Sequence, residues 1–192
     1  MPVPESIQHI IDVHTSLVQL RYEHWLSSEA YSLVWWILLT GWLLPWAIWF
    51  CLVDRAHIVE LTLYGTKIMF ITTLLDACGT AQTLWIYTIK VIPFTPHLET
   101  IDWGVLPVIY MLVYQYFPSW KGFLTAQIVV ALLFSLFGES FITNVMGSYL
   151  PLDWKSFYSL PLYLILAILP RASTKYLFGL ERKTNSARER QP

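Results

Sequence analysis

Between Leu61 and Trp85 the chain reads LTLYGTKIMFITTLLDACGTAQTLW, a stretch long and apolar enough to cross a bilayer that still carries a carboxylate, Asp76, well inside. A charged group within hydrocarbon costs at least about 2.5–3.5 kcal/mol on insertion scales, so it has to be partnered, wetted or protonated. On a helix, Thr72, Asp76, Thr80 and Thr83 fall near one face with Gly79 beside them, while Ile68, Leu74 and Leu75 form an apolar opposite side. Such a helix wants lipid on one side and other helices, or a wet cavity, on the other. Composition agrees: 56% of residues are hydrophobic and 13% charged, against about 45–50% and about 25% in soluble domains. The fold class expected is all-α, an integral membrane bundle of five transmembrane helices with an amphipathic N-terminal helix.

The chain divides accordingly. In residues 1–31, Ile7, Ile11, His14, Val18, Tyr22 and Trp25 recur at helical spacing among polar residues, which predicts an amphipathic helix on the external surface or at the interface. Its start, MPVPESIQHIIDVH, lacks the basic and apolar regions of a cleavable signal, so the internal spans are expected to direct membrane entry. The bundle covers 32–171, with spans at about 32–52, 61–85, 103–117, 122–147 and 157–170. The first span is uncharged for 21 residues and carries Trp35, Trp42, Trp46 and Trp49 toward one side, with a bend expected at Pro45. Pro93 and Pro96 make Ile86 to Asp102 a connecting loop. In the fourth span Gln127, Ala131, Ser135, Glu139 and Thr143 share a face at spacings of four. Residues 172–192 read as a basic cytoplasmic tail whose last dozen residues are too charged to bury.

Orientation follows from the cations. With five spans, nine Lys and Arg fall on the side of the tail and three (Arg21, Lys90 and Lys155) on the other. The positive-inside rule then puts the tail in the cytoplasm and the N-terminus outside. Spans two and four both run outward, and Asp76 and Glu139 come at similar depth, roughly 22–26 Å from the inner edge. Asp102, Asp153, Trp85, Tyr87, Trp103 and Trp154 come from the loops and helix ends just above. One outward-facing pocket is expected, with Asp76, Thr80, Trp85, Tyr87, Asp102, Tyr110, Tyr114, Ser135, Glu139, Asp153 and Trp154 as its candidate residues. His57 and Glu60 have a spacing that permits a metal site, but two ligands in an interfacial loop make none, and no metal or cofactor is expected. Cys51 and Cys78 lie roughly 20 Å apart along the bundle axis, too far for a disulfide.

The runs LVDRAHIVELTLYGT, LLDACGTAQTLWIY, LPVIYMLVYQYFPSWKGFL, LFSLFGES and LDWKSFYSLPLYLI together resemble an uncharacterised family of small multi-span integral membrane proteins of bacilli and clostridia. The resemblance covers about Trp35 to Arg171 and rests on Asp76 with Gly79, Trp85 with Tyr87, Tyr110 to Lys121, Gly138 with Glu139, and Trp154 with Lys155. This chain departs from the pattern at Ser140 and Thr88, where proline is expected. The resemblance implies an integral membrane protein of the bacterial envelope, in the plasma membrane, and supplies no reaction or ligand.

Three functions fit these residues. The first is a non-catalytic component that binds an apolar or amphiphilic ligand such as a lipid or isoprenoid, or a partner helix, through the outward pocket. It is favoured because the chain has no nucleotide-binding loop, metal motif or nucleophilic triad. The second is an enzyme using Asp76 and Glu139 as acid and base on an isoprenoid-type substrate. The third is a proton-linked carrier or channel subunit that needs a second copy or a partner membrane protein, since no internal duplication is present. The basic residues form no nucleic-acid footprint.

Overall fold

The computed structural model describes residues 3–188, with side chains through 185. It is mostly helical, with one small two-stranded antiparallel sheet among the described residues. The helices are α1 (Glu5–His24), α2 (Leu33–Leu52), α3 (Ile58–Ala81), α4 (Leu106–Tyr116), α5 (Trp120–Leu132), α6 (Glu139–Asn144) and α7 (Ser156–Arg188). π-Helical turns at Trp25–Glu29, Thr100–Val105 and Leu133–Gly138 lead into the loop before α2, into α4, and from α5 to α6. Four helices are long and apolar enough to cross a membrane: Leu33–Leu52, Arg55–Ala81, Trp120–Asn144 and Ser156–Asn185. Their outer surfaces expose large apolar groups, among them Leu43, Phe50, Phe70, Leu74, Phe137 and Ile165, as a lipid-facing surface requires.

Over the expected third span, 103–117, the chain is helical, as α4 plus the π turn before it, but this run is not one of the four helices long and apolar enough to cross a membrane. Together these give 17 helical residues (6 and 11), about 25 Å at 1.5 Å per residue. This run lies at the centre of the molecule. Leu106, Val108, Tyr110 and Met111 are buried against Tyr64 and Ile68 of α3, Phe123 of α5, and Leu166 and Ala167 of α7. Gly65 makes room for Met111, whose sulfur lies 2.4 Å from where a Cβ would stand. α2 crosses the Thr100–Val105 turn through small residues. A Cβ on Gly104 would meet the Gly41 carbonyl and the Trp42 Cα at 2.9 Å, and Thr100 Oγ1 donates to the Leu38 carbonyl at 2.7 Å. Close backbone approach of this kind is how helices associate where lipid removes the hydrophobic drive.

Several boundaries differ from expectation. α3 ends at Ala81 instead of Trp85, because Thr83 takes a left-handed φ of 58° and the Leu84 amide donates back to the Gly79 carbonyl at 3.0 Å. Thr83 therefore leaves the polar face. Ile68 is on the buried face with Thr72 and Asp76 rather than opposite them, while Leu74 is exposed. Trp85–Tyr87 instead forms β1, antiparallel to β2 (Tyr149–Pro151), with Trp85 opposite Pro151 and Tyr87 opposite Tyr149. The fourth span begins at Trp120, ends at Asn144, and is interrupted by the Leu133–Gly138 turn.

The last helix does not stop at Pro170. It continues to Arg188, so most of the expected 172–192 tail is helical, and residues 189–192 lie outside the described part. The side chain after the proline holds it in place. Arg171 is fully buried, its guanidinium 3.9 Å from the Phe123 ring centre, and it donates to the carbonyls of Phe117 at 3.0 Å and Pro118 at 2.6 Å. α1 forms where the periodicity places it but contributes no buried residue. Both cysteines are free and exposed.

Candidate functional site

A cavity of about 110 Å³ lies between α3, the sheet, the Thr100–Val105 turn, α6 and the first turns of α7. Asp76, Trp85, Tyr87, Asp102, Glu139 and Trp154, expected as one site from stretches far apart in sequence, all line it. Each acid is positioned by its element. Asp76 sits on α3 one turn after Thr72, both buried, and accepts the Tyr87 hydroxyl at 2.8 Å through Oδ2. The sheet brings Tyr87 there, since pairing with β2 turns it back over α3. Trp85 folds onto Gly79, whose missing Cβ would stand 2.1 Å from the indole, so only glycine admits the ring.

Asp102 is brought against Asp76 by the π turn and accepts the Leu98 amide at 3.3 Å. Glu139 opens α6 and accepts the Tyr163 hydroxyl of α7 at 3.2 Å through Oε1. Its Oε2 is buried and makes no well-formed hydrogen bond among the described residues, with the Ser156 and Ser159 side chains beside it, and Trp85 Nε1 likewise makes none, with Asp76 beside it. The cavity thus gathers three carboxyl groups, of Asp76, Asp102 and Glu139, beside the Trp85 and Trp154 side chains. Leu75, Leu98, Ile101, Leu106, Ile142, Leu162 and Leu166 supply an apolar lining between these polar groups.

Five expected residues lie elsewhere. The Thr80 hydroxyl donates to its own helix at the Asp76 carbonyl, 2.7 Å away, and Ser135 donates to the Ser156 carbonyl at 2.6 Å. Thr80 is satisfied within its own helix, as short hydroxyl side chains often are, and Ser135 by a backbone carbonyl at the start of α7. Tyr110 is buried behind the cavity, with its hydroxyl on the Tyr163 carbonyl at 2.9 Å. Tyr114 belongs to the opposite end, donating to Glu60 at 2.5 Å. Asp153 is exposed. Trp103 turns away to stack with His97, ring centres 4.4 Å apart. The tryptophans of α2 do not line the cavity either. Trp35 and Trp46 donate to the carbonyls of Val91 and Trp103, and Trp49 is buried in the core.

Tyr149, Ser159 and Tyr163 were not expected and line the cavity. The only sequence signal for Tyr163 is its place two turns into a span whose residues are mostly apolar. At the other end, His57 Nδ1 bonds Asp54 at 2.7 Å rather than pairing with Glu60. Among the described residues no three His, Cys, Asp or Glu side chains gather as metal ligands. The chain matches no protein-family model, no curated protein and no solved structure.

Proposed function

We propose that this chain is a non-catalytic integral membrane component of the bacterial envelope that binds an amphiphile, with the polar end of the ligand in the Asp76–Glu139 cavity. The observation that carries the reading is the meeting of three carboxyl groups, of Asp76, Asp102 and Glu139, with Trp85 and Trp154 in one cavity, where Glu139 Oε2 and Trp85 Nε1 make no well-formed hydrogen bond. Buried polar atoms are nearly always partnered. A hydroxyl headgroup can meet both needs and an ammonium headgroup that of Glu139 alone, with the carboxyls of Asp76 and Asp102 close by and the faces of Trp85 and Trp154 suited to a cation. The cavity holds a headgroup and not a chain, so the apolar part of the ligand lies along the lipid-facing surface.

The same reading takes the Thr100–Tyr116 run as a fifth crossing. It places the cavity outward, the N-terminus outside, the C-terminus in the cytoplasm, and α1 flat on the membrane surface. The support is the nine-to-three division of Lys and Arg. The resemblance to the small membrane proteins of bacilli and clostridia points to the same location.

An acid–base enzyme draws on one observation, the Asp76–Asp102 carboxyl pair. Against an isoprenoid substrate stands the size of the site: about 110 Å³, where enclosed ligands of that kind occupy roughly 300 Å³ or more. Native mass spectrometry of the gently extracted full chain decides between occupancy and an empty scaffold. The wild type is expected to retain an amphiphile that the double substitution Asp76→Asn with Glu139→Gln releases. A wild type that flies bare, or a variant that keeps the same adduct, ends this reading.

A further inference from the structure

A second concavity, of about 320 Å³, lies between the end of α1 and the loop that follows β1, lined by Leu20, Arg21, His24, Glu29, Lys90 and Pro93 among others. Two contacts hold its walls together: the Trp25 indole donates to the Lys90 carbonyl at 3.0 Å, and Tyr22 stacks on Phe94 with ring centres 5.8 Å apart. Lys90 is 5% exposed, and its ammonium donates to the Thr95 carbonyl oxygen. Among the described residues neither Lys90 nor Arg21 has an ion-pair partner. Glu29 does not serve as one. Its Oε2 accepts the Lys90 backbone N–H at 2.9 Å, and its Oε1 lies 3.7 Å from His24 Nε2.

Burying an ammonium is costly; Glu99, Glu29 and Asp76 lie near enough to Lys90 to offset part of that cost without pairing with it, and an arriving anion offsets more. Arg21 stands close enough to Lys90 to repel it, a repulsion that an anion between them turns into attraction. Two of the three Lys and Arg assigned to the outer side meet at this one cleft, while the remaining one, Lys155, lies elsewhere. We propose that the cleft binds a phosphate group between Arg21 and Lys90, with His24 at its rim, presented by a phospholipid headgroup or as free phosphate. Tyr87 belongs to the walls of both the cleft and the acidic cavity, so the phosphate sits next to that cavity while the two sites carry opposite charge. The proposal stands on residues separate from those of the amphiphile reading, and either holds without the other.

The test uses the full chain in dodecyl maltoside, a detergent without phosphate. Inorganic phosphate is titrated by calorimetry, and phosphatidic acid is compared with diacylglycerol of the same chains by native mass spectrometry. Saturable binding of inorganic phosphate assigns a free anion. Retention of phosphatidic acid alone, with diacylglycerol lost, assigns a lipid headgroup. In either case Arg21→Gln, at an exposed position that leaves the fold intact, is expected to weaken binding at least about tenfold, and Lys90→Gln to do the same. Lys155→Gln, away from the cleft, is expected to leave it unchanged. Absence of binding by both probes overturns the proposal, as does wild-type affinity in both Arg21→Gln and Lys90→Gln.

Discussion

Thr83 ends α3 in a conformation that suits glycine. Its φ of 58° is left-handed, and a β-branched side chain there crowds the following carbonyl at a cost of about 1–2 kcal/mol. Thr83→Gly relieves this and gives back part of the gain as unfolded-state entropy, so a net stabilisation of about 1 kcal/mol is expected in thermal melts of the detergent-solubilised protein. Lys90 is the residue whose protonation should govern stability at alkaline pH. Burial holds it down at about 8, against an ordinary value of 10.5, with Arg21 of α1 pushing the same way and Glu99, Glu29 and Asp76 opposing. Between those two values the unfolded chain binds more protons than the folded one, so stability rises with pH. Below about 8 both states are protonated and the burial cost is present in full. Melts at pH 7 to 10 are expected to show that rise, and Lys90→Met to flatten it.

At the scale of elements, α7 is the one whose extent the packing decides. Pro170 removes a backbone donor and clashes with the preceding turn, which ordinarily ends or kinks a helix. Here Arg171 binds the Phe117 and Pro118 carbonyls and lies against the Tyr114, Trp120 and Phe123 rings, while Lys67 donates to Ser173 and Thr174 at 2.9 and 3.0 Å. Arg171→Ala leaves two carbonyls without their donor and opens a void among three rings, so a loss of about 3 kcal/mol is expected. Hydrogen exchange is expected to rise most in the helix beyond Pro170. Arg171→Lys recovers little of it, because a lysine ammonium lacks the planar fork that reaches both carbonyls. Stability and exchange indistinguishable from wild type in Arg171→Ala would show that the helix holds without this clamp.

At the scale of the whole molecule, the proposed fifth crossing would make the number of passes odd and put the two termini on opposite sides; four helices alone would leave them on the same side. Reporter fusions test it directly: alkaline phosphatase is expected to be active when exported with the N-terminus and inactive at the C-terminus, and a fluorescent protein that folds only in the cytoplasm to report the reverse. Both termini on one side would mean that the Thr100–Tyr116 run does not cross. That run is where sequence reading is weakest. Its 17 residues sit below the length of an independent span, and it is held by burial of Tyr110 and Met111 rather than by its own hydropathy.

The sequence by itself determined that the chain is a helical bundle with lipid-facing surfaces, where the long apolar runs lie, and that Asp76 and Glu139 rise to a common level. Run length and residue spacing are local properties, and the bilayer converts them into depth. Only the tertiary structure decided which side chains close the site. A turn at Thr83 and a three-residue strand carry Tyr87 back onto Asp76, α7 brings Tyr163 to Glu139, and the π turn at Thr100–Val105 sets Asp102 against Asp76. Thr80 and Ser135 fell out of the site because a hydroxyl on a helix finds a backbone carbonyl one turn away or across a close contact. Helix spacing names a face. Which face meets which, and which polar atoms are left without a partner, is settled by contacts between residues far apart in the chain.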